Sequence, residues 1–222
     1  MGMNQTSINW CGERVLVLAP HQDDEAIGCG GLLEIARRSG ATTGVLWVSR
    51  TVDGAAVSDE ARTAADILGL NWFESLGAAP VGFIVDHEAL VSACETIRRF
   101  RPTVMLIPHA DEDDRHHQQT NKLGMEIAWL SAYEWEAAGI PLPHPPTVFS
   151  YEVWTPARRP THHLNIAEVA ETKRKAISAY GSQIRIQDFA HAALGLNSYR
   201  GIMSGTSLYA EAFTLEKMGI NS

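Results

Sequence analysis

The sequence predicts an α/β fold, a parallel sheet flanked by helices in a single domain over residues 1–222. Three observations carry that prediction. Short apolar runs alternate with stretches of helical spacing over the first two-thirds of the chain, the order that builds βαβ units. Two of those runs, Val15-Leu16-Val17-Leu18 and Thr103-Val104-Met105-Leu106-Ile107, lead straight into clusters of histidine and acid. That is where open α/β sheets place their sites, outside the carboxyl ends of strands. Finally, 222 residues are enough for one large core, and no repeat, low-complexity tract or long linker divides them.

The elements follow in order. Val15–Leu18 is a short, partly β-branched run, read as a buried strand. Residues 30–38 read as a helix whose apolar face is Leu32, Leu33, Ile35 and Ala36, ended by Ser39-Gly40. Thr43–Ser49 is the second strand, and Ser58–Leu68 a helix closed by Gly69. Asn71–Leu76 is a short third strand. Asp86 caps a helix through Phe100, in which Leu90, Ala93, Cys94 and Ile97 share one face. Pro102 stops that helix, and Thr103–Ile107 is the next buried strand. A helix over 118–138 then precedes a proline-rich connector (residues 140–146), and a strand over 147–154 follows it. The remainder reads as helical: 166–180, a turn at Gly181, 184–194 and 206–217.

Composition narrows the classes of function. The formal charge of −8 and pI near 5.6 argue against nucleic acid or an anionic membrane as partner. The cationic clusters Arg98-Arg99-Arg101 and Lys173-Arg174-Lys175 suit helix ends and helix faces without one. No apolar stretch reaches the roughly 20 residues that a membrane helix needs. The first residues show no leader and no compelling lipidation pattern. Three cysteines without paired spacing read as reduced thiols. Together these predict a cytoplasmic protein acting on a small molecule.

The chemistry lies in the two polar clusters. His21, Asp23, Asp24 and Glu25 follow the first strand, and Asp111 to His117 follow the fourth. Zinc takes imidazole nitrogen and carboxylate oxygen, and a catalytic site uses three protein ligands with one open position. His21 and Asp24, three residues apart across a helix start, can aim at one point. Asp23 then projects differently, close enough to act on a metal-bound water without itself being a ligand. The third ligand must come from the second cluster, as His116 or His117. Singly, His-x-x-Asp is common and acids before a helix are ordinary caps. Their joint occurrence at two strand ends favours a metal site.

These residues also carry a resemblance. Pro20-His21-Gln22-Asp23-Asp24-Glu25, followed by Gly28-Cys29-Gly30-Gly31, resembles the Ala-His-Pro-Asp-Asp-Glu signature of the LmbE-like, or PIG-L, family of zinc-dependent N-deacetylases. The resemblance implies a Rossmann-like fold and hydrolysis of the N-acetyl group of an N-acetylglucosamine derivative. It implies zinc, or another divalent metal, held by His21, Asp24 and a histidine of a second motif, with Asp23 as general base. That motif, His-Pro-Asp-His in the family, aligns with Asp114-Arg115-His116-His117. His117 then takes the ligand place and Asp114 stands where the family has its first histidine, with His116 as the alternative ligand. Later segments (Tyr151 to Trp154, Lys173 to Gln183, Tyr209 to Phe213) extend the similarity over most of the chain. The resemblance leaves room for a homo-oligomer.

Further expectations concern the substrate. Arg50, after the second strand, meets a sugar hydroxyl or phosphate, or is a turn arginine. Asp114 and His116 are further substrate contacts, His116 by steadying the oxyanion. Trp47, Tyr151 and Trp154 are candidates to stack on a sugar face. Lys173 reads as packing, its stem covering Val169 and Ile177. Two other classes compete. One is a metal- or sugar-binding protein without hydrolase activity. The other is a dinucleotide-binding domain using Gly28 to Gly31, although the spacing departs from G-x-G-x-x-G and acids stand where a pyrophosphate needs amide donors.

Overall fold

A computed structural model describes residues 9–219. Residues 1–8, where a leader would begin, lie outside the described residues. Seven strands form one sheet: β1 (Arg14–Ala19), β2 (Thr42–Ser49), β3 (Trp72–Ala78), β4 (Val104–Pro108), β5 (Thr147–Tyr151), β6 (His162–Asn165) and β7 (Ala210–Lys217). Their order is β3-β2-β1-β4-β5-β7-β6. The first five run parallel, and β7 pairs antiparallel with both β5 and β6. The expected parallel sheet is therefore present, with an antiparallel edge.

Successive strand residues point to opposite faces, and β1 divides accordingly. Val15, Val17 and Ala19 join Trp47 in one core, under α1 (Asp24–Arg38), α2 (Asp59–Leu68), α5 (Ala170–Ser178) and α7 (Phe189–Ser204). Leu16 and Leu18 join Leu46 and Val48 in the other, under α3 (His87–Phe100) and α4 (Arg115–Leu130). Four consecutive apolar residues are needed because both faces of this strand are covered. A single-turn α6 (Gly181–Ile184) follows α5.

Several expected boundaries hold. The Asp86 carboxylate accepts from the Ala89 N–H as the cap of α3, and Gly69 ends α2 in the left-handed conformation. Others move. The first helix begins at Asp24 rather than residue 30, so Gly28 joins Gly30 and Gly31 inside it. Close packing explains them: a Cβ on Gly28 would lie 2.4 Å from the Tyr151 ring, and one on Gly31 2.5 Å from Ile166. They are contact glycines within a helix, and the phosphate-loop reading of this stretch is set aside.

The segment 206–217, expected to be helical, contains strand β7. Its alanines, glutamates and lysine favour helix locally, but two neighbouring strands supply backbone partners on both sides. The short β6 has no apolar run to announce it. The helix expected over 118–138 starts and ends earlier. Beyond it the Arg98 guanidinium donates to the carbonyls of Tyr133, Ala137 and Ser131 and holds the chain in a loop. Among the described residues, no helix is long and apolar enough to cross a membrane.

Candidate metal centre

β1 lies between β2 and β4, so its carboxyl end is the place where the chain's crossovers diverge to the two sides. The loop after β1 supplies His21 and Asp23, α1 begins with Asp24, and the loop after β4 runs into α4 with its histidines. Asp114 caps α4, its Oδ1 accepting from the N–H groups of His116 (2.6 Å) and His117 (3.3 Å). This cap fixes the first turn and turns His117 inward beneath α1.

Three side chains converge. The Asp24 Oδ2 is 3.3 Å from His21 Nδ1 and 3.3 Å from His117 Nε2, and one ligand atom from each of the three lies within 4.8 Å of the others. Asp24 and His117 are fully buried. Even so, Asp24 Oδ1 and both ring nitrogens of His117 lack hydrogen-bond partners. Buried polar atoms left in that state are costly, and a cation between Asp24 and His117 would satisfy the carboxylate and Nε2, while Nδ1 points away toward Glu112. The donor set, two imidazoles and a carboxylate, is that of an open zinc site. The residues therefore fit a divalent metal. Burial pushes the Asp24 pKa up, but the His117 and His21 rings outweigh it and hold the carboxyl well below its ordinary range. For His117, burial lowers the pKa and the facing Asp24 carboxylate outweighs it, so the net shift is upward.

Asp23 stands next to this trio with φ 159° and ψ −26°, outside the basins that L-residues ordinarily occupy. Burial raises its pKa well above the usual carboxylate range, and the Asp24 and Glu25 carboxylates push it further. Glu25 turns away from the centre, accepting from Trp47 Nε1 (2.8 Å) and Tyr180 Oη (2.6 Å). Burial lifts its pKa to about 7, against the pull of the Tyr180 and Trp47 hydrogen bonds.

A cavity of about 780 Å³ opens over the centre, lined by residues that include His21, Asp23, Arg50, Asp114, Trp154 and Tyr180. Of the residues expected to touch substrate, Arg50 and Asp114 line this space. The His116 ring lies behind it, stacked on His21 with centroids 5.1 Å apart. Its Nδ1 is 3.4 Å from Ser49 Oγ, and its Nε2 accepts from the Phe83 N–H. Of the three candidate stacking aromatics, only Trp154 lines the cavity. Trp47 and Tyr151 are wholly buried, with the Tyr151 hydroxyl donating to the Leu18 carbonyl. Sequence reading missed Glu25 as a bonded core acid, and it missed the contribution of Tyr180, Ser182 and Gln183 to the cavity wall. No periodicity could have brought those segments to β1.

The family model described as PIG-L, GlcNAc-PI de-N-acetylase, matches residues 16–128. That stretch is just over half of the chain and contains His21, Asp23, Asp24 and His117. The chain belongs to the PIG-L family. Diacetylchitobiose deacetylase of Thermococcus kodakarensis is 25% identical over 201 residues, which cover 77% of this chain and 70% of that protein. The conserved protein TT1542 of Thermus thermophilus superposes with a TM-score of 0.85 at 27% identity, covering 95% of this chain and 97% of the other. GalB, the 4-carboxy-2-hydroxymuconate hydratase of Pseudomonas putida, superposes with a TM-score of 0.77 at 20% identity, over 95% and 98%. This last likeness concerns the fold alone. A PIG-L-like frame carries more than one reaction, so the reaction must be argued from the site.

Proposed function

We propose that this chain is a metal-dependent N-deacetylase that removes the acetyl group from an acetylated amino sugar. The observation that carries the reading is the convergence of His21, Asp24 and His117 beside Asp23, where His21 and Asp23 line a cavity. Membership of the PIG-L family and similarity to a diacetylchitobiose deacetylase support amide hydrolysis over other chemistry.

In this reading His21, Asp24 and His117 hold zinc or a similar divalent ion. Such an ion, when bound, polarises an amide carbonyl and lowers the pKa of water toward roughly 7. Asp23 supplies the proton transfers. Its carboxylate takes a proton from the attacking water and returns it to the nitrogen of the leaving amine. Burial suits the first step, because it makes the carboxylate a stronger base and favours the protonated carboxyl that results. Trp154 offers a ring edge and face to the sugar, and Arg50 offers donors to a hydroxyl. The other charged groups on the cavity wall, Asp53, Asp59, Glu60 and Asp114, are acids. An uncharged sugar therefore fits better than a phosphorylated one. The cytoplasmic setting in this proposal rests on the cysteines, all three of them free thiols.

The test pairs metal analysis of the purified protein with amine release from acetylated amino sugars, N-acetylglucosamine and its 6-phosphate among them. Wild-type protein is expected to bind one zinc and release amine, and Asp23→Asn to keep the metal while losing about 10²- to 10⁴-fold in turnover. Turnover of Asp23→Asn near the wild-type rate refutes the base assignment. Zinc uptake without amine release on any substrate favours a binding protein. Absence of divalent metal, with no activity restored by zinc, refutes the whole reading.

A further inference from the structure

Glu112 is a buried acid that the proposed reaction leaves without a role. It lies on the loop between β4 and α4, two residues before the α4 cap, and is 1% exposed. Its Oε1 accepts from the N–H of Val153 (2.9 Å) and of Trp154 (3.1 Å), and its Oε2 from that of Thr155 (3.0 Å). Three consecutive amides on one carboxylate fasten the segment after β5. That segment carries Trp154, the aromatic wall of the cavity.

The same carboxylate faces two imidazoles. Oε1 is 3.5 Å from His109 Nε2 and 4.0 Å from His117 Nδ1. The His109 ring is engaged elsewhere, donating from Nε2 to the Thr155 carbonyl at 2.6 Å and accepting at Nδ1 from the Asp111 N–H. His117 is not engaged in this way: neither of its nitrogens has a hydrogen-bond partner. It presents Nε2 to Asp24 and Nδ1 to Glu112. A neutral imidazole carries one N–H, and a nearby acceptor decides which nitrogen keeps it.

We propose that Glu112 is the positioning residue of the metal centre, holding the His117 proton on Nδ1 so that the Nε2 lone pair is free for an ion shared with Asp24, while its amide bonds set the Trp154 wall against the same ring. The inference rests on the metal reading above. One carboxylate thereby ties ligand orientation to cavity shape. The Trp154 and His117 rings lie 6.2 Å apart, and Trp154 leans on Phe189 at 5.0 Å on its far side. Carboxylates behind ligating histidines act in this manner, and their loss typically costs about tenfold to hundredfold in metal affinity or activity.

Glu112→Gln keeps the size of the side chain and one carbonyl oxygen for the amides but removes the charge. Zinc affinity, measured by chelator competition on metal-stripped protein, is expected to fall roughly tenfold to hundredfold, with thermal melting followed in parallel. Proton–nitrogen correlation spectra of zinc-loaded wild-type protein are expected to show His117 protonated on Nδ1. A folded Glu112→Gln variant that binds zinc within twofold of wild type overturns the proposal, even if its melting temperature falls, since that result marks a merely structural carboxylate. Should the variant not fold, the wild-type spectrum decides: a proton on Nε2 with Nδ1 bare overturns it. A wild-type chain that binds no zinc overturns the metal reading and this inference together. That failure is distinct from one in which wild type and variant bind equally.

Discussion

Lys173→Met isolates the ion pair that anchors α1 to the far edge of the fold. Lys173 is fully buried, its Nζ is 2.6 Å from Glu211 Oε1, and Glu211 is 1% exposed. The same carboxylate accepts from the N–H groups of Gly31 (2.8 Å) and Leu32 (2.7 Å) in the middle of α1. Methionine preserves most of the packing volume and leaves the carboxylate with two amide donors and no counter-ion. Breaking a buried pair by removing one partner costs about 3–5 kcal/mol. The two remaining charge-assisted bonds place this case toward the lower end, about 3 kcal/mol. A chain of this size loses about 2–4 °C of melting temperature per kcal/mol, so the variant is expected to melt about 6–12 °C below wild type. Adding Glu211→Gln removes the stranded charge, and the double variant is expected to melt above Lys173→Met alone. Calorimetry and urea unfolding of the three proteins make the comparison. A Lys173→Met protein within about 1 kcal/mol of wild type refutes the argument that the pair is held in a dry, low-dielectric contact.

Gly28→Ala places a methyl 2.4 Å from Tyr151 Cδ2 and 2.9 Å from the Glu152 carbonyl. Overpacking of about 1–3 kcal/mol is expected to outweigh the helix gain of about 1 kcal/mol, read as a lower urea midpoint. Arg98→Lys replaces a planar fork that reaches the Tyr133, Ala137 and Ser131 carbonyls with a single ammonium. Amide hydrogen exchange over residues 131–139 is expected to quicken while the strands stay protected. Trp154→Ala, at the cavity wall, is expected to raise KM severalfold with kcat little changed, which steady-state kinetics separates.

The parallel core was legible because its strands are buried on both faces and so read as unbroken apolar runs; β1 and β4 are the clear cases. The metal-binding candidates were legible for a related reason. Histidine and acid directly after such a run have little to contribute to a core, so their chemistry stands out. What stayed hidden depends on contacts distant in sequence. β7 has helix-forming residues, and the preference is overridden by strand partners on both sides. The helix read over 30–38 stops short of Gly28, because the packing of Tyr151 against that glycine leaves no local trace. Trp47 resembled a sugar platform until Glu25 was found bonded to its indole nitrogen.

The cavity joins contributions from two separate stretches of the chain. His21 stands on the loop after β1 and Asp24 and His117 on α1 and α4, whereas Trp154, Tyr180, Ser182 and Gln183 approach from beyond β5. The candidate metal ligands thus come from the first 117 residues, and the cavity wall from both stretches. Ser182 and Gln183 reach the wall without bonding any candidate ligand, so changes there alter the cavity first. A fold arranged in this manner can vary one side of its pocket while the candidate ligands stay on the other.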